Sequence, residues 1–409
     1  MKKHIILFYL GLLYLSQTVT AQNVWTLKGC IAYGRENSFE ASEIRILNAS
    51  YREDKKSVRA SYLPQYNLVA NGAFTASNNS FVWSPNVGFE TNTIIYSGSR
   101  KKHELLRADL IINQSEYGIA MAENNIEMQV LYAYTEALTK KGQYQVCVDF
   151  YKKTKQLYDE FSASKLLSKT DSYFFDALLQ QDCQEIESLQ QQYAIALLKI
   201  KQTINLYDDS DFEIAEIPSF EASHTDLNEA YPLAILADPG ISSNQLDIDI
   251  ARENSIIAKT LLLPSIGLRY APYYELNKPG LQHYAGLQIS FPLFNRAAQK
   301  AAIEKAAIQG LFQEKQLDNQ KEILWNAVVL IISELKNRQA LYETSRSTLE
   351  KSALLLKDSE EKLKSKNTYP ESYLVVRNWN KQCALDSVAL KYQAITQAKL
   401  LDFYTGTTL

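Results

Sequence analysis

Proline is absent between Pro85 and Pro218, and from Ser99 to Leu206 the only glycines are Gly118 and Gly142. Helix breakers are thus nearly missing over a length far beyond an ordinary globular helix. Glycine totals only 14 of 409 residues, well below the usual share of about 7%. Four cysteines (Cys30, Cys147, Cys183, Cys383) are too few for a disulfide scaffold in a chain this long. Cys147 and Cys183 lie almost equally far from a polar break at 162–171. A bridge between them requires side chains on facing edges; otherwise they are isolated buried thiols. Formal net charge is only −3, with both signs interspersed, so nothing points to nucleic acid or another polyanion. The histidines His103, His224 and His283 are scattered and make no metal-ligand spacing. No glycine-rich phosphate loop, nucleophile motif or zinc motif occurs, so no cofactor and no catalysis is expected.

Apolar runs are also short. Lys2, Lys3 and His4 precede an apolar run from Ile5 to Leu15, and Val19-Thr20-Ala21 supplies small residues before Gln22. This is the pattern of a secretory signal over 1–21, too short to span a bilayer. No later apolar run reaches eighteen residues, so no transmembrane helix is expected. Tyrosine, by contrast, is plentiful at 26 residues, which suits membrane interfaces or packed helices.

The long proline-free stretch carries apolar residues at seven-residue steps, Leu105, Ile112, Ile119, Ile126 and Ala133. A sustained seven-residue repeat holds one seam against a partner helix. The interruption Ser162 to Asp171 reads as the tip of a helical hairpin whose first arm, Arg100 to Phe161, is roughly 90 Å long at about 1.5 Å per residue. An ordinary soluble domain has no use for such a rod.

Before the rod, a helical pattern from Trp25 to Ala60 ends at Tyr62-Leu63-Pro64, where proline disfavours helix in the preceding residue. The period then changes to two. Tyr66, Leu68 and Phe74 alternate with Asn67 and Asn71, and after a polar loop at Ser77-Asn78-Asn79-Ser80, Phe89 and Ile95 alternate with Glu90 and Asn92. Each segment has about the ten residues a tilted membrane strand needs. The same order recurs: a helical segment at Leu246 to Leu262, Leu263-Pro264, and a strand with Ile266, Leu268 and Tyr270. After a loop at Asn277-Lys278-Pro279-Gly280 comes a second strand with Leu287, Ile289 and Phe291, then a proline-free rod from Arg296 to a break at Lys364 to Pro370. A return arm runs to Phe403. Pro64 and Pro264 differ by 200 positions, Tyr96 and Phe294 by 198, and Lys165 and Lys366 by 201. Such tandem similarity is the mark of internal duplication. The expected organisation is a signal at 1–21, one repeat at 22–207, a polar linker at 208–226 and a second repeat at 227–409.

Four strands of about ten residues cannot close a membrane barrel, since the smallest closed barrels use about eight. Unpaired edges in hydrocarbon are costly. Three copies supply 4 × 3 = 12 strands, an even number in the observed range. One strand face is apolar and suits lipid; the other carries Asn67, Asn71, Glu90, Asn92, Arg269 and Gln288 and suits a wet lumen. The expected fold class is therefore an α+β membrane protein, a trimeric twelve-stranded β-barrel continued by a tube of helical hairpins.

With these residues in view, the chain resembles the outer-membrane efflux protein family, the TolC-like exit ducts. Leu63-Pro64-Gln65 and Leu263-Pro264-Ser265 open the first strand of each half. Phe291-Pro292-Leu293-Phe294-Asn295 closes the second half's strands, with Ile94-Ile95-Tyr96-Ser97-Gly98 as a weaker counterpart, and Tyr404-Thr405-Gly406 resembles the usual C-terminal ending. The resemblance implies a homotrimer in the outer membrane of a Gram-negative bacterium, with a long periplasmic extension. It would work with a periplasmic adaptor and an inner-membrane pump of RND or ABC type. Family tips carry a glycine six residues before an acidic residue. Here Lys165 stands six before Asp171 and Lys366 six before Ser372, and lysine disfavours a positive φ. The implied adaptor contacts are Lys165, Leu166, Leu167 and Ser168 in the first tip and Lys366, Asn367, Thr368 and Tyr369 in the second. Asp171 matches an acidic position near the closed periplasmic aperture, and Glu371 is the nearest substitute in the second half. Asp171 could equally serve as the N-cap of the return helix. The competing assignment is a periplasmic coiled-coil adaptor or scaffold with no membrane-embedded part.

Overall fold

The computed structural model describes residues 24–77, 80–163, 168–208, 212–218, 224–276, 279–291, 296–365 and 369–407. In chain order the first half contains β1 (Val24–Trp25), α1 (Leu27–Glu36), α2 (Phe39–Ala60), β2 (Gln65–Ser77), β3 (Ser80–Tyr96), α3 (Arg100–Ala163) and α4 (Lys169–Thr203). The remainder contains β4 (Glu213–Ile214), α5 (Leu227–Ala237), α6 (Pro239–Thr260), β5 (Ser265–Glu275), β6 (Leu281–Ser290), α7 (Arg296–Lys364) and α8 (Pro370–Tyr404). The order helix, strand, strand, long helix, return helix from α2 to α4 recurs from α6 to α8. Backbone bonds recur with it. Leu63 N–H donates to the Ala60 carbonyl at 2.9 Å, and Leu263 N–H to the Thr260 carbonyl at 3.0 Å. Both helices stop just before Leu-Pro, as a residue preceding proline requires.

The two return helices also end alike. At α8, Thr407 N–H bonds the Asp402 carbonyl and Gly406, with φ of 76°, bonds Phe403. At α4, Leu206 N–H bonds Lys201 and Asn205, with φ of 57°, bonds Gln202. Both are Schellman endings, in which a left-handed residue turns the chain to satisfy the last carbonyls. The glycine of Tyr404-Thr405-Gly406 is there for that conformation.

The chain forms two compact units, and each draws on both halves of the sequence. One comprises 39–123 and 235–326 and holds α2, α6, the four strands β2, β3, β5 and β6, and the first parts of α3 and α7. Its sheet is antiparallel in the order β2-β3-β5-β6. Here the buried stripe of α3 is Ala108, Ser115 and Ala122. The seven-residue spacing is as expected, but the seam lies three positions along from Leu105, Ile112 and Ile119, which are half-buried on its flank. Small side chains admit α2, whose Asn48 amide donates to Ser115 Oγ at 2.5 Å and to the Ile112 carbonyl at 3.2 Å.

Among the described residues, the other unit comprises 24–38 and those within 124–234 and 327–409. Its core includes Val130, Leu131, Tyr134, Leu138, Ile200, Ile204, Ile395 and Leu401. The Tyr134 hydroxyl shares its proton between the carbonyls of Trp25 and Ala215, at 2.8 and 2.7 Å, pinning the parallel pair β1–β4. Two expectations change here. The helical pattern from Trp25 begins with a strand residue and is broken at Asn37, whose N–H caps α1 on the Tyr33 carbonyl. The stretch expected as a linker contains β4, with Phe212, Ile214 and Ile217 buried. All four cysteines are free. Burial pushes the Cys147 thiol up to about 11, the behaviour of a packed thiol.

Candidate functional site

Antiparallel partners share a face, so the register alone sorts the strand side chains. Asn67 faces Glu90, Asn92 faces Arg269, Asn71 faces Asn86 and Gln288 faces Gly267. All six residues expected to share a polar face therefore do so. Opposite them, Leu68 faces Phe89, Leu268 faces Leu287, Ile266 faces Ile289 and Phe74 faces Trp83. This second face is apolar and open: Phe74 is 72% exposed, Leu68 70% and Ile289 70%. In water such a patch is costly, and a large one marks a membrane or partner surface.

Three strands run further than their alternation suggests. β2 extends to Ser77, β3 begins at Ser80 and includes Pro85, and β5 continues through Pro272 to Glu275. A proline inside a strand normally signals an edge or a break. β6 ends at Ser290, so Phe291 falls outside it, and 292–295 lie outside the described residues. Ile95 is the extra residue of a bulge between the pairs Ile94–Gly267 and Tyr96–Ile266, which lets β3 turn into Gly98 and Ser99, both at positive φ.

On the polar face a depression of about 440 Å³ is lined by Asn71, Asn86, Glu90, Arg269, Tyr273 and Tyr284 among others. The two charges that the sequence placed there neutralise each other. Arg269 Nη2 lies 2.9 Å from Glu90 Oε2, and the Asn92 amide donates to Glu90 Oε1. Arg269 also stands over the Tyr284 ring, 5.8 Å from its centroid. The face is therefore polar, with Glu90 and Arg269 paired on it and Glu275, opposite Asn86, as a further carboxylate.

At the hairpin tips, Lys165, Leu166 and Leu167, and Lys366, Asn367 and Thr368, lie outside the described residues. Ser168 and Tyr369 occupy the N-cap positions of α4 and α8. Ser168 Oγ accepts from Asp171 N–H and Asp171 Oδ2 accepts from Ser168 N–H, both at 3.1 Å, a complete capping box. The sequence suggested Asp171 as the cap itself; the structure gives that place to Ser168 and makes Asp171 the reciprocal partner. Glu371 sits in the first turn of α8, where Tyr369 makes no side-chain cap and Pro370 opens the helix. Behind the tips, Leu157, Phe161, Phe175, Leu178, Leu363, Tyr373 and Leu374 form one apolar cluster from all four helix ends.

Beside that cluster lies a charged network that sequence reasoning missed. Arg377 and Asp182, each with a side chain only 1% exposed, form a bidentate pair. Arg377 Nε donates to Thr154 Oγ1 at 3.1 Å, and its guanidinium stands over Phe150. Lys381 Nζ donates to Asp182 Oδ1 at 2.8 Å and also to Glu185. One carboxylate thus ties α8 to α4, with α3 attached through Thr154. Among the described residues, no group of three or more His, Cys, Asp or Glu is placed to hold a metal ion. None of the described helices is long and apolar enough to cross a membrane.

No protein-family model matches the sequence, nor does any curated protein. Solved structures do match. CusC, described as forming a transmembrane channel, aligns with a TM-score of 0.82 at 12% identity over 93% of this chain and 92% of that one. The MtrE outer-membrane channel of Neisseria gonorrhoeae aligns at 0.77 and 15% over 93% and 89%, and the CmeC outer-membrane channel of Campylobacter jejuni at 0.76 and 14% over 93% and 86%. The chain has the fold of an outer-membrane channel subunit. Agreement over nearly the full length of each partner, at such low identity, shows that this TolC-like fold rests on element order and packing rather than on retained residues.

Proposed function

We propose that the chain is one subunit of a homotrimeric duct through the outer membrane of a Gram-negative bacterium. It forms the exit of a tripartite efflux or type I secretion assembly, receiving solutes from a periplasmic adaptor and an inner-membrane pump of RND or ABC type. The observation that carries this reading is the sheet of β2, β3, β5 and β6. It has an exposed apolar face, a polar face and too few strands to close alone, on the fold of outer-membrane channels. Hydrocarbon offers no partner to an unpaired backbone edge, so the wall is completed by further copies. Asn67, Asn71, Glu90, Asn92, Arg269 and Gln288 line the lumen. The helical hairpins extend the duct into the periplasm and meet the adaptor at Lys165–Ser168 and Lys366–Tyr369. Three copies of Asp171, with Glu371 beside them, ring the periplasmic mouth and favour cations there. The duct passes solutes and catalyses no reaction. The organisation follows the tandem repeat, with a signal at 1–21, halves at 22–207 and 227–409, and a connecting segment at 208–226.

The test is reconstitution. Detergent-purified protein is weighed by intact-complex mass and then added to a planar bilayer. A trimer with stepwise ion conductance is expected. A monomer that is stable without detergent, silent in bilayers and washed off membranes by carbonate would overturn the reading in favour of a periplasmic scaffold.

A further inference from the structure

β2 and β6 are the edges of the four-stranded sheet, and among the described residues neither has an outer strand partner. We infer that β6 of one copy pairs antiparallel with β2 of the next, in the register that sets Gln288 opposite Asn71. The inference rests on the trimeric duct proposed above and deepens it by specifying the seam between copies.

The register follows from the internal repeat. β2 opens at Gln65 and β5 at Ser265, so a residue of β2 has its counterpart 200 positions later. Gln65 faces Asn92, and its counterpart Ser265 faces Ser290. Asn92 therefore corresponds to Ser290, a displacement of 198. The far end of the hairpin agrees: Phe74 faces Trp83, and Tyr274 faces Leu281. Two hairpins of the same register are thus joined inside one chain by the seam β3–β5. Repeating that seam outward means that β6 stands in for β3, and the next copy's β2 for β5. Asn92 facing Arg269 becomes Ser290 facing Val69; Gly88 facing Tyr273 becomes Gly286 facing Ala73. Gln288 opposite Asn71 lies midway between these pairs.

The side chains supply an independent check. In this register Gln288 meets Asn71 on the polar face, while Ile289 meets Ala70 and Ala285 meets Phe74 on the apolar face. A slip of one residue would set polar against apolar along the whole seam. The competing registers are therefore slips of two, and these can be told apart by distance. Directly opposed Cα atoms are about 4.5–5.5 Å apart, within the span of a disulfide, whereas diagonal neighbours are about 7–8 Å apart.

The experiment uses the full-length protein in outer-membrane vesicles, with the half-exposed Cys183 replaced as Cys183→Ser; Cys30, Cys147 and Cys383 are buried. The aligned pair is Asn71→Cys with Gln288→Cys, and a second aligned pair is Val69→Cys with Ser290→Cys. The slipped pairs are Asn71→Cys with Gly286→Cys and Asn71→Cys with Ser290→Cys. Copper-phenanthroline oxidation should convert both aligned pairs to covalent trimers on non-reducing gels at least about tenfold faster than the slipped pairs. Faster linkage of a slipped pair overturns the register while leaving the duct standing. No linkage by any pair, with a lysine-reactive reagent still giving trimers, overturns edge pairing altogether. Monomers with both reagents would remove the duct reading itself.

Discussion

Replacing Arg377 by methionine probes the packing of the two hairpins directly. The guanidinium has a bidentate bond to Asp182, a bond to Thr154 and a face on Phe150, and both members of the ion pair are shut away from water. Breaking a buried pair by removing one partner costs about 3–5 kcal/mol, because the remaining charge stays buried. Lys381 still reaches Asp182 at 2.8 Å, which places Arg377→Met near the lower end, about 3 kcal/mol. Thr154→Val removes one bond to a charged group and should cost about 1.5 kcal/mol. The surface pair Lys315–Asp318, with side chains 83% and 62% exposed, provides the control, and Lys315→Met should cost about 0–1 kcal/mol. The assay is urea unfolding in detergent, followed by helical circular dichroism at constant slope. Titration adds a second readout. Burial works against the Lys381 charge, but its hydrogen bonds to Asp182 and Glu185 outweigh this and raise its pKa above the ordinary value. A raised lysine pKa gives stability that is complete below about pH 10.4 and is lost as pH climbs through the folded value. Lys381→Met should flatten that alkaline limb. The reasoning fails if Arg377→Met unfolds within about 0.5 kcal/mol of the parent, or if the coupling of Arg377→Met with Asp182→Asn is below about 0.5 kcal/mol.

Two further outcomes follow from the polar face and the tips. Arg269→Gln leaves Glu90 without its counter-charge at 2.9 Å, so three unbalanced carboxylates per trimer should shift the reversal potential in a salt gradient toward cation selectivity; an unchanged potential would place the pair away from the conducting path. Ser168→Ala removes one half of the capping box and should cost about 1 kcal/mol, read as faster hydrogen exchange at Asp171 and Ser172, with no change at Ser372 and Tyr373 in the other tip.

Much of the sheet was legible in the sequence because its two faces contrast so strongly. Leu68 and Asn67, or Ile289 and Gln288, take opposite faces, and although Val69 and Thr93 depart from the alternation, a single-residue slip would exchange the faces. The extra strand length at Pro85 and Pro272 was not legible, since proline argues against a strand interior unless its missing N–H falls where the ladder needs none. The helical rods were visible through missing breakers, but the seven-residue pattern left the seam open. Leu105 and Ile112 looked like knobs, whereas the buried stripe is Ala108, Ser115 and Ala122, chosen by the approach of Asn48 from a helix more than fifty residues earlier. β1 and β4 have two residues each and no period to detect. Their pairing depends on Tyr134, far away in the chain.

The buried network shows a different kind of blindness and also the signal that could have found it. Arg377 and Lys381 lie 195 or more residues from Asp182, so no local pattern joins them. Each looks like one more solvated charge on a polar helix. Yet they are like charges four residues apart on one helix face, an arrangement that destabilises an isolated helix. Asp182 and Glu185 set up the opposite-sign version, three apart on another helix. Two locally unfavourable pairs of opposite sign become favourable only when their faces meet, as Lys381 between Asp182 and Glu185 shows. Local conflict of this sort, in segments whose other residues are good helix formers, is resolved only by tertiary contact. In this chain it marks where the second hairpin is fastened to the first.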